Sequence, residues 1–217
     1  MGIPVLILGE SGSGKTSSLR NFEEDEVFVI NVAAKPLPFR KKLLTYKSKD
    51  FNLICKTISK VSCNCYVIDD SQYLMAFELF DKAKETGYNK FTDIAVHFKQ
   101  LIDTVVNTAP DDTVVYFLHH IEQSEINGKI KAKTVGKMLD NQLTLEGLFS
   151  VCLIARTDGK KHWFETQSDG LTPTKSPMEM FETMEIDNDL KVVDDTIRQY
   201  WELAPRKKIV MKGDKEA

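Results

Sequence analysis

The sequence predicts an α/β protein: a mostly parallel sheet with helices on both faces and a hairpin toward the carboxyl end. Three observations predict it. Five short runs rich in Val, Ile and Leu are apolar on both alternating faces, at residues 3–8, 27–32, 65–68, 113–118 and 148–155. Segments with helical spacing or helix-end signals lie between them. The chain has 217 residues, 42% of them hydrophobic, enough for one moderate core, and no repeat or linker divides it.

Each element follows in order. Residues 3–8 (IPVLIL) form the first buried strand, and a helix should start near Gly14 and Lys15 and run to about Phe22. Residues 27–32 (VFVINV) form the second strand. Residues 35–49 hold six basic residues, no acid and two prolines, which predicts irregular structure. Residues 65–68 form the third strand, ending in Asp69 and Asp70, and residues 71–87 read as helix. From Thr92 onward, Ile94, Phe98, Leu101, Ile102 and Val105 share one helical face, with Thr92 or Asp93 as cap. After a turn at Pro110, residues 113–118 (TVVYFL) run into His119 and His120. Residues 124–134 read as a lysine-rich loop, 135–147 as helix, and 148–155 (LFSVCLIA) as the fifth strand. Residues 156–166 read as a hairpin turning at Asp158 and Gly159, 168–177 as loop and 189–203 as the last helix. The charged tail after Pro205 is expected to fray.

Charge and composition exclude several classes. Lys and Arg number 29 against 32 Asp and Glu, a formal net charge of −3. That argues against a surface coated in basic charge and leaves room for a local patch. No apolar run approaches bilayer length and no charged-then-apolar leader opens the chain. Cys55, Cys63, Cys65 and Cys152 form no CxxC pair and read as small buried hydrophobes of a reducing cytoplasm. The four histidines lack metal-ligand spacing.

The segment between the first strand and first helix carries the chemistry. Gly9, Glu10, Ser11, Gly12, Ser13, Gly14, Lys15 and Thr16 fit G-x-x-x-x-G-K-[ST] at every fixed position, with Ser17 following. Glycines let the backbone wrap tightly and aim successive N–H groups at one point, to which the following helix adds its positive end. Lys15 should reach the β and γ phosphates of a nucleotide, and Thr16 should place its hydroxyl on Mg²⁺. The third strand delivers acid at its carboxyl end, where ligands of parallel sheets sit. Asp69 is assigned to the Mg²⁺. Asp70 either polarises the attacking water or caps the helix that follows. In P-loop ATPases of the additional-strand kind a polar residue at the end of the next strand contacts the γ-phosphate; of the two histidines ending the fourth strand here, His120 is favoured for that part, with a plain strand-end histidine as the alternative.

Beyond these motifs, the chain resembles the small core-only, RecA-like phage ATPases associated with single-strand annealing and recombination. The match is carried by GESGSGKT at 9–16, NVAAKPLPFR at 31–40, YVIDDSQYL at 66–74 and FLHHIE at 117–122. TVGKMLDNQL at 134–143 and TPTKSPMEMFE at 172–182 add to it. The resemblance implies a P-loop core, ATP hydrolysis and single-stranded DNA as partner in the host cytoplasm. It also implies a single-strand-binding protein alongside and assembly into rings or filaments. A basic residue would then touch the neighbouring subunit's ATP, with Lys175 and Arg156 as candidates. One departure stands out: where RecA-type ATPases take a catalytic Glu from the end of the second strand, this chain offers Asn31.

Single strands call for cations along a groove and aromatics for stacking. Arg40, Lys41 and Lys42, with Phe39 and Tyr46 nearby, are one candidate, and Lys129, Lys131 and Lys133 another. Either cluster reads equally as a solvated charged face. Acids from 182 to 195, Asp194 among them, should keep DNA away from that side. Two other functions compete: a helicase loader or similar nucleotide-switched protein, and a small-molecule P-loop kinase. The kinase needs an arginine-rich lid, and only Arg20, Arg40, Arg156, Arg198 and Arg206 exist.

Overall fold

Strand β1 (Ile3–Gly9) is buried from Pro4 onward, so it must lie inside the sheet with neighbours on both edges. The computed structural model describes residues 1–60, 63–136, 138–139 and 143–209. In it β1 pairs in parallel with β5 (Val114–Gln123) on one side and β7 (Val151–Thr157) on the other. Beyond β5 come β4 (Cys65–Asp69), β2 (Phe28–Asn31) and, at the edge, β3 (Leu44–Lys47), all parallel. Beyond β7 lie antiparallel β8 (His162–Glu165) and β9 (Glu185–Asp187). Strand β5 therefore separates β1 from β4, while their carboxyl ends face the same edge of the sheet.

Alternation along each strand feeds two cores. Leu6, Leu8, Ile68 and Phe117 point to one face, covered by α1 (Phe51–Lys60), α2 (Gln72–Asp81) and α3 (Asn89–Asn107). Val5, Ile7, Val67 and Tyr116 point to the other, covered by α4 (Leu190–Tyr200) and a short turn of 3-10 helix, Thr16–Asn21. The five apolar residues expected on one face of α3 are all buried. Asp189 caps α4 by accepting from the Lys191 and Val192 amides. Among the described residues no helix is long and apolar enough to cross a membrane.

Several expectations need correction. The helix after the glycine-rich loop is a short 3-10 turn, Thr16–Asn21; Ser18 Oγ donates to the Lys15 carbonyl at 2.6 Å, and Phe22 is already extended. The basic stretch ends in strand β3 and leads into α1, whose buried stripe is only Ile54 and Ile58. Helix α2 stops at Asp81, short of residue 87, and α3 starts at Asn89 with no side-chain cap, Asp93 pairing with Lys82 instead. The lysine-rich loop folds back as β6 (Ile130–Ala132), antiparallel to the far end of β5, with Ile130 and Ala132 buried. Part of the helix expected at 135–147 lies outside the described residues; Leu145–Leu148 is 3-10, and the fifth apolar strand starts only at Val151.

The tail is docked through residue 209. Asn64 donates to the Pro205 carbonyl and accepts from the Lys207 amide, and Ile209 donates to the Asp25 carbonyl. Asp194, expected among surface acids, is fully buried beneath it. Its carboxylate accepts from Tyr116 Oη, Arg198 Nε and Arg206 Nη1, each at 2.7 Å. Arg198 also donates to the carbonyls of Asn64, Asp112 and Ala204.

Candidate functional site

The carboxyl ends of β1 and β4 with the midpoint of β5 frame a cleft of about 290 Å³. Gly9 ends β1 where a β-carbon would lie 2.9 Å from the Ala155 carbonyl, so only glycine lets the loop leave β1 this close to β7. Gly14 takes φ +95°, and a β-carbon there would meet His162 Nδ1 at 2.8 Å. The loop between them puts Ser11, Gly12, Gly14, Lys15, Thr16 and Ser17 on the cleft wall. Ser13 turns away, its carbonyl 3.1 Å from His162 Nδ1. The Glu10 side chain is exposed, while its carbonyl faces inward to Lys15.

Lys15 curls into its own loop. Its ammonium donates to the carbonyls of Gly9 at 2.8 Å and Glu10 at 2.7 Å. Burial lowers its pKa to about 8, against the pull of Asp70 and Asp69. Thr16 Oγ1 donates to Asp69 Oδ1 at 2.8 Å, joining positions 53 residues apart. Burial pushes Asp69 up to about 6, although Thr16 and Lys15 oppose it.

Asp70 does not cap α2; no side chain bonds that helix start. It sits at φ +60°, and its carboxylate accepts from Lys35 Nζ at 2.7 Å and His120 Nε2 at 3.2 Å. Burial alone would raise its pKa, but His120 and Lys35 together hold it down at about 2. A non-glycine residue in this left-handed region costs about 1–2 kcal/mol. Here that cost aims the carboxylate into the cleft.

Period-2 alternation separates the histidines. His120 lines the cleft and meets the Tyr73 ring edge-on at 5.6 Å. His119 is fully buried on the helix face. Its Nε2 lies 2.9 Å from the Lys133 carbonyl, which can only accept, so Nε2 carries the proton and Nδ1 accepts from Ser71 Oγ at 2.9 Å. Burial drives its pKa to about 3. An unfolded chain protonates this ring below about pH 6.5, whereas the native one does not. Stability is therefore full above that pH and falls as pH drops toward 3, by up to ~1.4 kcal/mol per unit. Urea midpoints between pH 7 and 5 should fall more steeply for the wild type than for His119→Gln; equal slopes would refute this.

The remaining candidates lie apart from the cleft. Arg156 pairs with Glu165 across the β7–β8 hairpin at 3.1 Å. Lys175 bridges to Cys152 through its backbone, partway down β7. Lys41 is tied to Glu23 and the Phe22 carbonyl, while Arg40 and Lys42 are exposed. Phe39 packs against the core, and Tyr46 lies beside Phe28, so neither ring stands free as a stacking platform. Lys129 and Lys133 are exposed on either side of β6; Lys131 pairs with Glu122.

Sequence reasoning missed Lys35, Pro36, Pro38 and Tyr73 as cleft residues. The first was counted only as one of six cations. What places it is Asn31, whose amide donates to the Lys35 carbonyl at 2.6 Å. No family model matches the chain, and no curated protein matches it either.

Proposed function

We propose that this chain is a Mg²⁺-dependent ATPase of the P-loop kind that acts with single-stranded DNA in recombination or annealing. The observation that carries the nucleotide reading is the Thr16–Asp69 hydrogen bond at 2.8 Å. It joins the hydroxyl of the glycine-rich loop to the strand-end carboxylate, the pair that holds Mg²⁺ in such ATPases. Strand β5 between β1 and β4 supports the additional-strand form of that fold.

The residues fit the metal. Among the described residues no group of three or more His, Cys, Asp or Glu could hold one alone. Mg²⁺ prefers one or two protein oxygens together with substrate phosphates and water, which Thr16 and Asp69 can offer. Once bound, it would neutralise charge on the phosphates. Lys15 would turn from the Gly9 and Glu10 carbonyls to phosphate oxygens. Asp70, ionised at neutral pH, would orient the attacking water by hydrogen bonding. His120 would link that carboxylate to the β5–β6 hairpin, which presents Lys129 and Lys133 to solvent.

The DNA partner, a single-strand-binding protein and a ring or filament assembly rest on the resemblance. The kinase reading loses support because four of the five arginines are held by partners within the chain. Arg20 holds the Asn188 carbonyl, Arg156 holds Glu165, and Arg198 and Arg206 hold Asp194. Phosphate release from ATP should rise when single-stranded DNA is added. Slow release indifferent to DNA would favour a loader, and a phosphorylated nucleoside acceptor would replace the reading with a kinase.

A further inference from the structure

We propose that Lys35 is a second anion-binding cation of this cleft, which exchanges Asp70 for the terminal phosphate of a bound nucleoside triphosphate and so frees Asp70 to hold the attacking water. The inference rests on the triphosphate reading above and deepens it. Lys35 comes from the loop after β2, not from the glycine-rich loop, yet it lines the same cleft as Lys15 and Thr16. Its ammonium is 2.7 Å from Asp70 Oδ2 and 5.1 Å from the centre of the Tyr73 ring.

The backbone is shaped to put it there. Asn31, buried at the end of β2 and level with Asp69, spends its amide on the Lys35 carbonyl. Ala34 takes φ +54°, a left-handed conformation that a residue with a β-carbon adopts only at a cost. An exposed lysine with no task needs neither device.

Charge and mobility then assign the roles. Lys15 and Lys35 balance Asp69 and Asp70 within the cleft. A triphosphate adds negative charge, and a cation must turn toward it. The Lys35 side chain is 59% exposed and that of Asp70 only 13%, so the ammonium can swing while the carboxylate stays. Departure of Lys35 leaves Asp70 Oδ2 open to water, with Oδ1 still held by His120. Lys35 is thus a positioning residue for Asp70 as well as a phosphate contact.

The test is equilibrium binding of ATP and of ADP, each with Mg²⁺, to the full chain. Wild type would be compared with Lys35→Gln, Lys35→Met and Lys35→Arg, with thermal melts confirming the fold. Loss of one charge-assisted contact should weaken ATP binding about 10- to 100-fold in both uncharged variants. ADP, lacking the terminal phosphate, should stay within about threefold, and Lys35→Arg should keep the preference for ATP. Equal losses for both nucleotides, or none for either, would overturn the role of Lys35 while leaving the site in place. A wild-type chain that binds neither nucleotide would overturn the triphosphate reading and this one with it.

Discussion

Lys15→Ala should weaken ATP binding by roughly 10²- to 10⁴-fold, since at least two charge-assisted contacts worth ~1.5–3 kcal/mol each disappear. The wild-type Lys15 is 7% exposed, and its ammonium donates to two carbonyls of its own loop. Burial opposes its charge, lowering its pKa to about 8, yet it stays protonated at neutral pH. The loop therefore holds a desolvated cation, and in the proposed complex phosphate oxygens would replace its carbonyl partners as it turns toward them. The fold should survive, because truncation leaves only two backbone carbonyls beside an open cleft. Titration with a fluorescent ATP analogue measures the loss, and circular dichroism checks the fold. Undiminished affinity in a folded variant would remove Lys15 from the site.

Asp194→Ala should cost about 3–5 kcal/mol of stability, the usual penalty for stranding buried charges by deleting their partner. Two guanidiniums, those of Arg198 and Arg206, lose the carboxylate that each contacts at 2.7 Å, and Tyr116 loses its acceptor. Against a typical total of ~5–15 kcal/mol that is a large fraction. The network ties α4 and the tail to Asn64 and Asp112, next to the amino ends of β4 and β5 and opposite the cleft. Urea denaturation should show the loss, while nucleotide affinity of the folded fraction stays near wild type. A change below about 1 kcal/mol would mean that water compensates the arginines.

The parallel centre of the sheet was legible because strands buried on both faces must be written in Val, Ile and Leu. Strands β3, β6 and β9 were not. They have three or four residues each and lie at edges or on a hairpin, so half-polar sequence suffices. Helix α1 hides for a similar reason, with a stripe only two residues wide. The glycine-rich loop and the Asp69–Asp70 pair were legible because few other tasks ask for those residues in that spacing. Asp194 was misread as a surface acid. Its burial depends on arginines four and twelve residues further along, which nothing local announces.

The sequence by itself determined the materials available: which strands are buried on both faces, where glycines let the backbone turn tightly, and which carboxylates end a buried strand. Strand interiors and glycine turns are local demands, met residue by residue. Only the tertiary structure decided which charges meet. It brought Thr16 to Asp69, gave Asp70 to Lys35 and His120 instead of to a helix end, and sent His119 into the core while its neighbour faced the cleft. Long-range pairings arise from strand order and register, and these come from packing the whole sheet at once.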